Sequence, residues 1–227
     1  MNQTEVKFGE WLEKGFNLYK SHFGLLVLST LLVLLLGMVS FGVLIGPLTA
    51  GLFITVLALV DKSTPKPEAG NVFKGFGFFL NAFLFVLVWG LIIFAATFIL
   101  ALIPCLGQIA SVFLGYAMQA LLMFSFLIMV DRKLDFWPAS MQSIELVKSN
   151  FWPFLGFGIV CSLISSLGAL ACGIGVIFTA PFGYCAVAVA YREITGGTAG
   201  GATSPDDEGY LEVSSEPPSD TPVAGTP

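Results

Sequence analysis

Charge is what this 227-residue chain has least of. Only 11% of its residues are Asp, Glu, Lys or Arg, against about a quarter in soluble domains. With 56% hydrophobic residues, it has too little polar surface to cover a water-soluble globule. Histidine is almost missing: His22 stands alone, with no Cys or carboxylate at ligand spacing, so it makes no metal site. There is no Ser/His/Asp set, no H-E-x-x-H, no Walker loop and no glycine-rich dinucleotide motif. Neither an enzyme nor a cofactor is expected, and no nucleic-acid partner. The four cysteines (Cys105, Cys161, Cys172, Cys185) form no C-x-x-C pair. Basic residues are missing altogether past Thr195, where six of the fifteen acidic residues lie. The net charge of -5 therefore belongs to the tail, and residues 1–195 are close to neutral, with ten basic against nine acidic residues.

What is present is lipid-soluble length. Residues 23–60, 80–130 and 151–191 hold no charged side chain. The first of these would be about 57 Å long as one helix, too long for one crossing of a roughly 30 Å hydrocarbon core. Each block also carries a central break. Ser40, Gly42, Gly46 and Pro47 interrupt the first, Pro104-Cys105-Leu106-Gly107 the second and Cys172-Gly173-Ile174-Gly175 the third. The pattern predicts an all-α integral membrane bundle of six transmembrane helices arranged as three hairpins.

All ten basic residues lie outside the apolar blocks, and the three breaks carry no charge. If each block is a hairpin, every Lys and Arg falls on one face. The positive-inside rule assigns that face to the cytoplasm. The expected location is the cell inner (plasma) membrane, multi-pass, with both termini cytoplasmic and the lipid bilayer as first partner.

The domain expectation follows. Residues 1–22 form an interfacial amphipathic helix, with Phe8, Trp11, Leu12, Gly15 and Tyr19 on one face. Residues 23–195 form the transmembrane domain, and residues 61–74 are read as a polar loop ahead of a second interfacial segment at 72–79. Residues 196–227 form an acidic tail too poor in apolar residues to order itself. Charged stops at Asp61-Lys62, Asp131-Arg132 and Arg192-Glu193 recur at roughly even spacing, a weak internal repeat.

The connector between the second and third blocks is a candidate site, with Asp131, Arg132, Trp137 and Trp152 as its markers. Trp11, Trp137 and Trp152 are expected to anchor at the headgroup level. Inside the spans, Gln119 and Tyr116 are the candidate intramembrane polar residues. Gln119 could serve as an interhelical bridge or line a solute path. Ser162, Ser165 and Ser166 read as packing residues. Cys105 and Cys172 both fall at breaks, where an oxidising compartment would permit a disulfide between the second and third hairpins.

Asp131-Arg132, Phe136-Trp137-Pro138-Ala139, Ser143, Asn150-Phe151-Trp152, Cys172-Gly173-Ile174-Gly175, Thr179-x-Pro181 and Ala190-Tyr191-Arg192 together resemble a group of uncharacterised bacterial inner-membrane proteins. That group is similar to the membrane domain of some glycerophosphodiester phosphodiesterases. The resemblance implies fold and location, and carries over no catalytic residue. Two functions follow as expectations. One is a non-enzymatic scaffold or modulator of an envelope protein or of local lipid, its partner being another membrane protein or a further copy in a homo-oligomer. The alternative is a carrier or exporter of a small apolar or lipid-like solute, which would need a cavity between hairpins lined by Gln119, Tyr116 and serines.

Overall fold

The computed structural model describes residues 8–64, 67–103, 106–170 and 175–196. All regular structure among these residues is helical. Two helices, α1 (Phe8–Ser21) and α2 (Phe23–Val39), meet at 90° around His22. Next comes α3 (Ile45–Val60), and a 3-10 helix (Ala69–Phe78) leads directly into α4 (Phe79–Ala101). The second apolar block closes with α5 (Leu106–Leu122) and α6 (Ser125–Asp131). The connector forms α7 (Phe136–Lys148), bent 108° from α8 (Phe151–Leu170), and α9 (Val176–Ile194) ends the described chain.

The apolar blocks fold as sequential pairs, α2 with α3, α4 with α5 and α8 with α9, each pair in direct contact. The chain is an integral membrane helical bundle. In the first pair the break falls where Ser40 and Gly42 stand. Phe41 and Gly42 take positive φ (51° and 89°), the Gly42 N–H donates to Gly37 O (2.8 Å), and the Ser40 hydroxyl accepts from the Leu44 N–H (3.2 Å). Pro47 sits in the first turn of α3, where a missing N–H costs nothing. Among the described residues, Ala69–Ala101 and Leu106–Asp131 are long and apolar enough to cross a membrane unaided. At about 1.5 Å per residue, α2 and α3 reach only about 25 Å.

Two expectations change here. The stretch read as a polar loop and surface segment is partly core: Val72 is fully buried with Val33, Leu48 and Leu52. It can lie so close because Gly75 and Gly51 leave room. A Cβ on Gly75 would overlap Pro47 O, and one on Gly51 would overlap Val72 O. Trp11 also changes role. It does not sit among headgroups but is 1% exposed, stacked on Phe154 and edge-on to Phe157, with its Nε1 donating to Glu193 Oε2 (2.7 Å). The polar face of α1 was legible, but its apolar face packs on protein, with Gly15 against the backbone of Ala186 in α9. Trp137 and Trp152 remain exposed. The acidic tail past Gly196 lies outside the described residues.

Candidate functional site: a polar cavity and a buried ion-pair junction

A cavity of about 830 Å³ lies between α5, α8 and α9, closed on one side by Phe53 of α3. Its wall carries Ser111, Tyr116 and Gln119 from α5, Ser162, Ser165 and Ser166 from α8, and Tyr184 from α9. The Gln119 Nε2 donates to Ser162 Oγ (2.7 Å), tying α5 to α8. Ser166 Oγ turns back to Ser162 O (2.7 Å), and Thr179 Oγ1 reaches from α9 to Ser165 O (3.1 Å). These helices can approach because Gly168 and Gly175 face each other: a Cβ on either would clash with the other's backbone. None of the residues lining the cavity is charged. It offers hydroxyl and amide groups on an otherwise apolar wall.

The cavity runs from Ser111, Ser166 and Val176, beside the breaks, to Phe53, Met123 and Val187. At that inner end the Phe53 ring packs edge-on to Tyr184 and stacks on Phe126. Beyond it, the main core, with Phe124, Ile128, Met129, Val189 and Tyr191, fills the bundle.

About two turns further along α3 and α6, and closer along α9, the three charged stops meet. Arg192 is buried, and its Nη2 lies 2.6 Å from Asp61 Oδ2 and 2.9 Å from Asp131 Oδ1. The Tyr191 hydroxyl donates to Asp131 Oδ2 (2.9 Å). Beside them Glu193 accepts from both Trp11 and Lys14, which brings α1 into the same junction. The hydrogen bond to Glu193 raises the Lys14 ammonium above its usual 10.5. One buried guanidinium thus joins the ends of all three apolar blocks.

The candidates from sequence separate into these two places. Gln119 and Tyr116 line the cavity together, and Ser162, Ser165 and Ser166, read as packing residues, line it as well. Asp131 belongs to the junction. The other connector markers do not join it in one site: Arg132 donates to Gln142 (3.0 Å), Trp137 stacks on Trp89 and Trp152 is 71% exposed. Cys105 and Cys172 lie outside the described residues, and Cys161 and Cys185 are buried free thiols. Sequence reasoning missed Phe53 and the Arg192 junction, although the recurring charged stops were its visible trace. Among the described residues no group of His, Cys, Asp or Glu could hold a metal ion.

Comparison with protein families matches residues 2–186 to the EI24 family, described as Sulfate transporter CysZ/Etoposide-induced protein 2.4. The resemblance to the membrane domain of glycerophosphodiester phosphodiesterases finds no support in that match. Comparison with curated proteins finds no match, and comparison with solved structures finds none either.

Proposed function

The chain belongs to the EI24 family, and from that premise we propose that it is a non-enzymatic membrane carrier of a small solute that accepts hydrogen bonds. The observation that supports this most is the cavity between hairpins lined by Gln119, Tyr116 and serines, the feature a carrier needs and a scaffold does not. The family description names a sulfate transporter, so sulfate is the first solute to test. In this cavity an oxyanion would meet hydroxyl and amide donors and no counter-charge, so those hydrogen bonds would have to offset its desolvation. On the positive-inside rule we assign the junction of charged stops, and with it α1 and the end of α9, to the cytoplasmic side of the membrane. The cavity then faces the breaks and is closed by packed core towards the cytoplasm.

The test is uptake of labelled sulfate into proteoliposomes, comparing the natural chain with Gln119→Leu. Uptake above empty vesicles is expected, falling about tenfold with the leucine, the effect of losing one buried hydrogen-bonding group from a polar site. No uptake of sulfate or of small neutral solutes above empty vesicles would return the chain to the scaffold reading.

A further inference from the structure

A second cavity, about 790 Å³, lies away from the first, where the end of α1 crosses the ends of α3 and α9. Its floor is apolar, with Leu18, Leu59, Val60 and Val189, and its polar wall holds Lys14, Lys62 and Arg192. Because α1 turns 90° from α2, the groove sits at the level of the charged stops, where a bilayer changes from acyl chain to headgroup.

Two observations mark it as a binding site. First, both carboxylates that meet Arg192 share its Nη2, while Nε and Nη1 are buried with no partner. Buried donors left unsatisfied are expensive, and an arginine's planar fork matches a phosphate. Second, Lys62 has no ion-pair partner among the described residues and is held at positive φ (50°), where lysine is strained. Its turn is closed by the Ser63 N–H donating to Ala58 O (2.9 Å). Glu193 also borders the groove, but Trp11 and Lys14 already hold it. Asp61 and Asp131 occupy the Nη2 end of the guanidinium.

We propose that this groove binds an anionic phospholipid, with its phosphate on Lys62 beside the Arg192 junction and its acyl chains over Leu18, Leu59, Val60 and Val189. A free phosphate would have to lose water against four aliphatic side chains, which costs free energy with nothing in return. A lipid presents the anion and the hydrocarbon together, and a juxtamembrane cation such as Lys62 attracts such headgroups. The site stands apart from the proposed solute cavity, so it survives or fails independently of transport.

Native mass spectrometry of the delipidated full chain tests it, titrating phosphatidylglycerol against phosphatidylcholine of the same acyl length. One phosphatidylglycerol is expected to bind in preference. Lys62→Gln should weaken it about fivefold, the attraction of one juxtamembrane cation, and leave phosphatidylcholine unchanged. Arg192→Lys should weaken it as well; where that variant fails to fold, Lys62→Gln alone decides. Equal retention of the two lipids, or unchanged phosphatidylglycerol binding in Lys62→Gln, overturns the proposal. Displacement of the lipid by millimolar inorganic phosphate would overturn it too, by assigning the groove to a free oxyanion.

Discussion

Arg192 pairs with Asp61 at 2.6 Å across 131 positions of sequence, and the same nitrogen takes Asp131 at 2.9 Å. The ends of α3, α6 and α9 are thereby drawn to one point, on the face that holds all three charged stops. The pairing adds a polar tie to hairpins that already share one apolar core.

Removing that guanidinium should be costly. Arg192→Gln leaves Asp61 and Asp131 side by side with no counter-ion, a loss of about 3–5 kcal/mol when a buried pair is broken. The expected result is a clearly lowered unfolding midpoint in detergent. A variant that also replaces both aspartates with Leu should recover part of the loss, because no buried charge is then stranded. Arg192→Gln unfolding at the natural midpoint would show that the junction contributes nothing.

Trp11 and Trp152 should behave as opposites. Trp11→Ala empties a ring-sized space between Phe154 and Phe157 and should cost about 3–5 kcal/mol. Trp152 is 71% exposed, and its alanine variant should fall within about 0.5 kcal/mol of the natural chain. Denaturant unfolding of both variants separates a core tryptophan from a surface one, and similar losses would contradict the packing.

Glycine substitution probes the seat of the 3-10 helix. Gly51→Ala and Gly75→Ala each drive a methyl into backbone atoms and should lose about 3 kcal/mol or fail to fold. A methyl on the Cα of Gly90 would meet nothing within 4 Å, so Gly90→Ala in mid-α4 should be neutral or slightly stabilising. Thermal midpoints of the three variants give the comparison.

Alkaline pH should loosen α1. The Lys14 ammonium is raised above 10.5 by its hydrogen bond to Glu193, and burial raises the Tyr19 phenol above 10.0. For Lys14, the charged form is favoured in the folded chain. Its contribution is complete below 10.5 and is lost as pH climbs through the higher folded value. For Tyr19, the folded chain holds its proton longer than the unfolded one, so stability also falls as pH passes 10.0. Trp11 fluorescence should therefore stay constant from neutral pH to just below 10 and shift above it. Lys14→Gln should flatten that shift, and an identical alkaline profile in the variant would remove Lys14 as its cause.

Much of the site was legible in part. Gln119 stood out because an amide in an uncharged span needs a partner, and that partner proved to be Ser162, on the wall of the cavity. The serines of α8 were visible but not their common direction, because a helix's neighbours decide which of its faces becomes a wall. Phe53 carried no signal at all: in a chain with 22 phenylalanines, nothing local distinguishes one that closes a cavity from one that faces lipid.

The division between sequence and tertiary structure has a physical cause. Partition between water and lipid depends on local composition, so uncharged blocks, glycine and proline breaks and charged stops were enough to declare a membrane bundle of helical hairpins. Contact between distant helices depends on the summed fit of many small interactions, none with a local signature. Only the folded chain could show that Trp11 lies in the core, that Gly51 and Gly75 let a presumed loop pack tightly, and that the three charged stops share one buried arginine.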